Sequence, residues 1–195
     1  MKKIAVILVL FVSTAQLASA QIPVLSALPK FDLGIKAGVN YEQLNGSGVS
    51  SDYNPGFQGG IFMGLRKKRI GVQIEGLVSF SKYNLVDSVH NGEFKATYIN
   101  IPVLFEYKVI PLLWLQIGPQ YSGIVSVKST NGFVGDAKNI FKSGTGSGVV
   151  GLELKLPLHI NVGARYILGI TDLNNNGGDA WKQRVFQVHV GLAFL

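Results

Sequence analysis

A few stretches of this 195-residue chain have the residue types and spacing that chemistry requires. Asp172-x-Asn174-x-Asn176-Gly177 matches the first half of a calcium loop, in which alternate oxygen side chains converge on one hard cation. The twelfth position is Gln183 where a bidentate Glu is wanted, and the flanks read as strands. Asp172, Asn174 and Asn176 are thus a weak calcium candidate beside a plainer reading, an Asn/Gly turn cluster. Gly144-Thr145-Gly146-Ser147-Gly148 resembles a phosphate cradle, but no Lys-Ser/Thr and no helix follow, so a glycine-rich strand entry is expected. Arg66-Lys67-Lys68-Arg69 is too short for a nucleic-acid surface and sits between apolar runs, which fits a turn at lipid headgroups. Asp52, Asp87, His90, Asp136 and Asp179 are scattered through loops without the spacing of a catalytic set. No enzyme, no cofactor, no resident metal and no nucleic-acid partner is expected.

A second group of charges is ordered. Lys36, Glu75, Glu106, Glu153, Lys155, Arg165 and His189 each fall on a polar parity, among Gly, Gln, Asn and Ser and between apolar neighbours. Charges gathered in a narrow enclosure are costly unless acids and bases pair. The expectation is a salt-bridged interior with Arg165 near its centre and Glu75 or Glu106 among its partners. A gated ion path is the alternative use of the same groups.

The elements that position these charges are strands. Around Tyr98–Gly123, residues Ile99, Ile101, Val103, Phe105 and Tyr107 share one face, and Tyr98, Asn100, Pro102, Leu104, Glu106 and Lys108 the other. After Val109-Ile110-Pro111 the alternation resumes with Leu113, Leu115 and Ile117 against Trp114, Gln116 and Gly118. Parity predicts Lys108 opposite Leu112, Glu106 opposite Trp114 and Pro102 opposite Gly118, with a bulge at Pro102. The same pattern marks strands near 31–41, 56–65, 70–82, up to Lys155, 159–170 and 181–195, giving about eight. Several reach the roughly 9–11 residues needed to cross a bilayer at a tilt. Turns at 66–69, 109–111 and 156–158 are short, whereas connections near 42–55, 83–93, 129–143 and 172–180 are long. That alternation is the pattern of an up-and-down antiparallel transmembrane β-barrel with short periplasmic turns.

Which face meets lipid follows from composition. The polar parity is rich in Gly, Gln, Asn and Ser and poor in charge, unlike a wall exposed to water. Small side chains there suit the interior of a barrel of about eight strands. Aromatics such as Phe31, Tyr41, Phe57, Phe80, Tyr107, Tyr121, Phe186 and Phe194 fall near the ends of the apolar faces, as an interfacial girdle requires. Apolar side chains therefore point outward, the interior is polar, and the first strand must pair with the last.

Tyr-x-x-Ile-Pro-x-x-x-x-Tyr at 98–107, followed by Gly118-Pro119, resembles the central hairpin of the PorT-like small outer-membrane β-barrel family of Bacteroidetes. The resemblance implies an eight-stranded barrel and allows an accessory role in a secretion machinery.

Composition agrees with export to a Gram-negative outer membrane. Charged residues are 15%, hydrophobic residues 47% and mean hydropathy +0.30, with 24 Gly and no Cys. Lys2-Lys3, the apolar run Ile4–Val12 and Ala18-Ser19-Ala20 read as a signal peptide over residues 1–20, cut after Ala20, leaving one domain over 21–195. Phe186, Val188, Val190, Leu192 and Phe194 resemble the final-strand signal read by barrel-insertion machinery, although Leu195 rather than an aromatic is last. The expected function is a non-enzymatic structural or interaction barrel in contact with outer-membrane lipid, binding a protein through long loops or the periplasmic rim. A narrow passive porin-like channel is the alternative, and a lipid- or peptide-processing outer-membrane enzyme stands third, behind both.

Overall fold

The computed structural model describes residues 29–46, 49–50, 54–86, 91–129, 144–171 and 182–195. Eight long strands follow one another: β1 Lys30–Gly46, β2 Asn54–Lys67, β3 Ile70–Val86, β4 Asn91–Lys108, β5 Leu113–Ser129, β6 Gly144–Lys155, β7 Ile160–Gly169 and β8 Lys182–Ala193. Each is antiparallel to the next, and β1 pairs with β8 from Gly34↔Ala193 to Asn45↔Lys182, closing the barrel. A two-residue strand, Val49–Ser50, folds back on the end of β1. Closure satisfies the backbone within the wall, which a bilayer demands of any spanning sheet.

The wall is apolar outside and polar within. Ile35, Ile61, Val72, Ile117 and Val190 are exposed, while Lys36, Gln73, Glu106, Gln116 and Arg165 are buried inside. All eight girdle aromatics named above are exposed on the outer surface. No helix among the described residues is long and apolar enough to cross a membrane; this chain crosses with strands.

The central hairpin departs from the expected register by two residues. Lys108 pairs with Trp114, Glu106 with Gln116 and Pro102 with Gln120. The turn extends through Leu112, because the Val109 N–H reaches the Leu113 carbonyl at 2.9 Å and the Leu113 N–H returns to Ile110 at 3.1 Å. An even shift leaves every side chain on its expected face. The bulge is also displaced: it falls between Thr97 and Tyr98, opposite Val125, and not at Pro102. Pro102 has no N–H to give β3, so the ladder merely lapses between Ile74↔Val103 and Leu77↔Asn100 and resumes in register.

Strands run further on the loop side than the alternation predicts. β1, β3 and β5 hold 17 residues each and β4 holds 18. That exceeds the roughly 9–11 a bilayer needs, so the extra length stands clear of it. The expected loop 83–93 is mostly hairpin, paired as far as Val86↔Asn91. Tyr83-Asn84-Leu85-Val86 carries no Pro or Gly, so each residue can take part in the ladder.

Candidate functional site

The bore is filled in layers, and one towards the short turns carries most of the charge. Arg165 on β7 grips Glu75 on β3 with both terminal nitrogens, Nη1–Oε2 and Nη2–Oε1 each 2.7 Å. Lys36 on β1 donates to Glu75 at 2.7 Å and to Glu153 on β6 at 2.9 Å. Arg165 Nε donates to Gln116 Oε1 at 2.8 Å, and Gln116 passes the chain to Glu106 at 2.7 Å. Lys155 donates to the other Glu106 oxygen at 2.7 Å, and His189 Nε2 lies 3.0 Å from Glu153. Glu75 is therefore a direct partner of Arg165, and Glu106 is reached through an amide. Three bases, Lys36, Lys155 and Arg165, face three acids, Glu75, Glu106 and Glu153, across strands far apart in sequence. Charge-assisted bonds of this length are the strong kind, and the bidentate fork fixes geometry as well.

Glycines set the reach of these side chains. Gly151 lies between Gln116 and Arg165 in the register, and Gly163 between Glu153 and His189. A Cβ at Gly163 would sit 2.5 Å from His189 Nε2, and one at Gly151 would sit 2.6 Å from the Arg165 stem. Each bare position lets a long side chain cross a whole strand to its partner.

Below this network Trp114 faces the bore with Lys155, Arg66 and Lys108 at 5.0, 5.4 and 5.8 Å from its ring, within cation–π range. Arg66 also pairs with Asp32. Above the network Leu104, Val149, Ile167 and Val185 form an apolar layer across the interior. Higher still the lining is mostly neutral. Asn100 donates to Ser79 at 2.7 Å, Gln120 to Ser122 at 3.1 Å, and Ser81 to Glu42 at 2.7 Å. The cavity bounded by Asn40, Gln58, Ser79, Asn100, Gln120 and Ser122 has a volume of about 20 Å³, room for roughly one water.

All six residues expected in the charged lumen, Lys36, Glu75, Glu106, Glu153, Arg165 and His189, lie in this one layer, together with Lys155. The sequence reading missed Gln73 and Gln116, which bind Glu75 and Glu106, and the Asp32–Arg66 pair. Their inward parity beside the glutamates was the available signal. The apolar layer was missed too, because Val149, Ile167 and Val185 interrupt otherwise polar faces. Gly144–Gly148 opens β6, as expected of a strand entry. Asp172, Asn174 and Asn176 lie outside the described residues, as do Asp52, Asp87, His90, Asp136, Asp179 and the 1–20 leader. Among the described residues no group of three His, Asp or Glu is placed to hold a metal ion.

Comparison with known proteins decides the family. The model of the outer membrane protein β-barrel domain matches residues 4–194. The chain belongs to that family. Solved barrels share its fold at low sequence identity. Ail of Yersinia pestis is 13% identical, with a TM-score of 0.52 over 84% of this chain and 99% of Ail. OprG of Pseudomonas aeruginosa is 13% identical, TM-score 0.52, covering 86% and 98%. Neisserial surface protein A is 12% identical, TM-score 0.50, covering 82% and 96%. No curated protein sequence matches the chain. Family and fold make this an outer-membrane β-barrel protein, with the Val/Ile/Phe side of its strands facing outward.

Proposed function

We propose that this protein is a non-enzymatic barrel with a sealed bore, an anchor that presents its long loops or its periplasmic rim to a protein partner. One observation carries the reading: a network of ion pairs and an apolar cluster of Leu104, Val149, Ile167 and Val185 occupy the interior, and the cavity described beside that cluster is about 20 Å³. An eight-stranded wall leaves little width once side chains occupy it, and an apolar constriction repels the ions that a polar one admits. Strands of 17 and 18 residues raise the loops off the membrane surface, where a partner can reach them. The Tyr98–Tyr107 motif and Gly118-Pro119 support a PorT-like secretion accessory as the particular form of this role. Export uses the leader, cut after Ala20, and the alternating final strand serves the insertion machinery.

Single-channel recording on the purified protein in planar bilayers tests the sealed bore. No steady conductance is expected; a stable open level would replace this reading with a narrow passive channel. Co-purification from detergent-solubilised outer membranes, repeated with each long loop shortened, tests the partner. A partner lost with one loop supports the role, and identical recovery from every variant counts against loop docking. Amino-terminal sequencing of the membrane-extracted protein should begin at Gln21.

A further inference from the structure

The three short turns, expected at the periplasmic rim, form one continuous edge. The Lys108 N–H donates to the Arg69 carbonyl at 2.8 Å, and the Lys155 N–H to the Leu112 carbonyl at 2.9 Å. Turn 67–70 therefore adjoins turn 109–112, and that one adjoins turn 156–159. Their chemistry is sharply divided. Lys67, Lys68 and Arg69 are exposed, and Lys30 is exposed on the neighbouring strand. The acid described at this corner, Asp32, is buried against Arg66. The other two turns are mostly apolar, with His159 at the end of the second as their one titratable residue. Ile110 is 57% exposed and Leu158 83%, with Val109, Leu112 and Leu156 exposed beside them. Leu158 is held at φ 64° and ψ 22°, a left-handed conformation that a branched side chain rarely adopts.

Turns are ordinarily built from Gly, Asn, Asp and Ser, and an apolar patch on a soluble edge marks something that covers it. Here the patch is continuous with the lipid-facing wall. Tyr107 leads into Val109, and Leu154 into Leu156, all exposed outward. On the β2–β3 side the apolar wall stops at Leu65 and Ile70, and the basic turn begins. A leaflet supplies both chemistries in the right order, acyl chains beside a layer of phosphates.

We propose that this rim is a lipid-docking edge: Lys67, Lys68 and Arg69 hold the phosphate of an anionic phospholipid headgroup, while turns 109–112 and 156–159 are immersed in the same leaflet. The barrel accordingly tilts, with its β4–β7 side deeper than its β2–β3 side. Uncompensated cations near an anionic surface are drawn to it, and the greasy turns find acyl chains where water would be the alternative. This edge is independent of whether the bore is sealed, and it leaves the long loops as the side open to a protein.

The absence of native Cys makes single-cysteine labelling direct. Leu158→Cys and Ile110→Cys, with Ile61→Cys as the mid-wall reference and Lys68→Cys as the headgroup reference, are spin-labelled in phosphatidylethanolamine vesicles containing phosphatidylglycerol. Labels at 158 and 110 should collide more with oxygen than with a water-soluble nickel chelate, as at 61, and the label at 68 the reverse. Nickel access at both 158 and 110 overturns the immersion and exposes the patch for a periplasmic protein. The triple variant Lys67→Gln, Lys68→Gln, Arg69→Gln keeps the fold-bearing residues and tests the anion half separately. Native mass spectrometry should show retained phosphatidylglycerol falling by about tenfold or more against the unaltered protein, as loss of near-surface charge implies. Equal retention in the two overturns the headgroup site.

Discussion

Below Leu104, Val149, Ile167 and Val185 the bore is packed with ion pairs; above them it is lined by amides and hydroxyls, with Glu42 the buried acid described there. Both regions sit inside the same eight strands and both are sealed from lipid by the same apolar wall. The lower one fixes orientation, because Arg165, Lys36 and Lys155 can each satisfy their acids only if β1, β3, β4, β6 and β7 stand in one register. The upper one is more permissive: Asn100–Ser79 and Gln120–Ser122 join the same or adjacent strands, and Ser81–Glu42, which reaches across β2, pairs no opposite charges. A small barrel thus concentrates specificity in one layer and leaves the other free to vary.

The comparison breaks most severely at Arg165. Arg165→Leu removes both bonds to Glu75 and the bond to Gln116, leaving a buried carboxylate with Lys36 and Gln73. Taking one partner from a buried pair costs about 3–5 kcal/mol, so the melting temperature followed by β-sheet circular dichroism in detergent should fall steeply. An unchanged melting temperature would remove the central ion pair from the account. Gly163→Ala comes next. Its Cβ would crowd His189 and push it off Glu153, with an overpacking penalty of about 1–3 kcal/mol in the same assay. In the upper layer Asn100→Ala loses one bond to Ser79 and should cost about 0.5–1.5 kcal/mol. If it cost as much as Arg165→Leu, the proposed division between layers would fail.

How much of this was readable beforehand follows from what period two does and does not carry. Parity alone assigns Ile35 to lipid and Lys36 to the bore, and it survives the two-residue error at Lys108↔Trp114, because even slips preserve faces. The sequence therefore exposed the barrel, its polar interior and the identity of the charged set. Parity says nothing about height along the bore. Glu75 and Glu106 both point inward, but which one Arg165 grips depends on strand stagger, set by the bulge at Thr97/Tyr98 and by turns such as 109–112. Nor does parity identify the glycines that let side chains cross a strand, since Gly151 and Gly163 reveal that role only beside their register partners. Nor does parity account for the inward Phe62, which in the folded barrel packs over the bare position at Gly34.

The smallest expected effect is the sharpest test of what the charged layer is for. Lys155 and Glu106 meet at 2.7 Å, and Lys155 also lies 5.0 Å from the Trp114 ring. Lys155→Met keeps an unbranched chain against that ring while deleting the charge, and Glu106→Gln keeps an oxygen that can accept from Gln116. Lys155→Met leaves the buried Glu106 carboxylate with Gln116, whereas Glu106→Gln leaves Lys155 with Glu153 at 3.6 Å, so each should destabilise and the first more than the second. The double variant strands neither, and replacing a buried pair by neutral groups of similar shape is often close to energetically neutral. A double-mutant cycle should therefore return a coupling of about 0.5–3 kcal/mol, with the double variant more stable than either single one. Simple additivity would mean that the two groups do not sense each other, and the lower layer would then be a set of separate polar contacts. Strong coupling with little net loss would mean that this pair contributes register rather than stability, which is the distinction between the two layers reduced to one pair of residues.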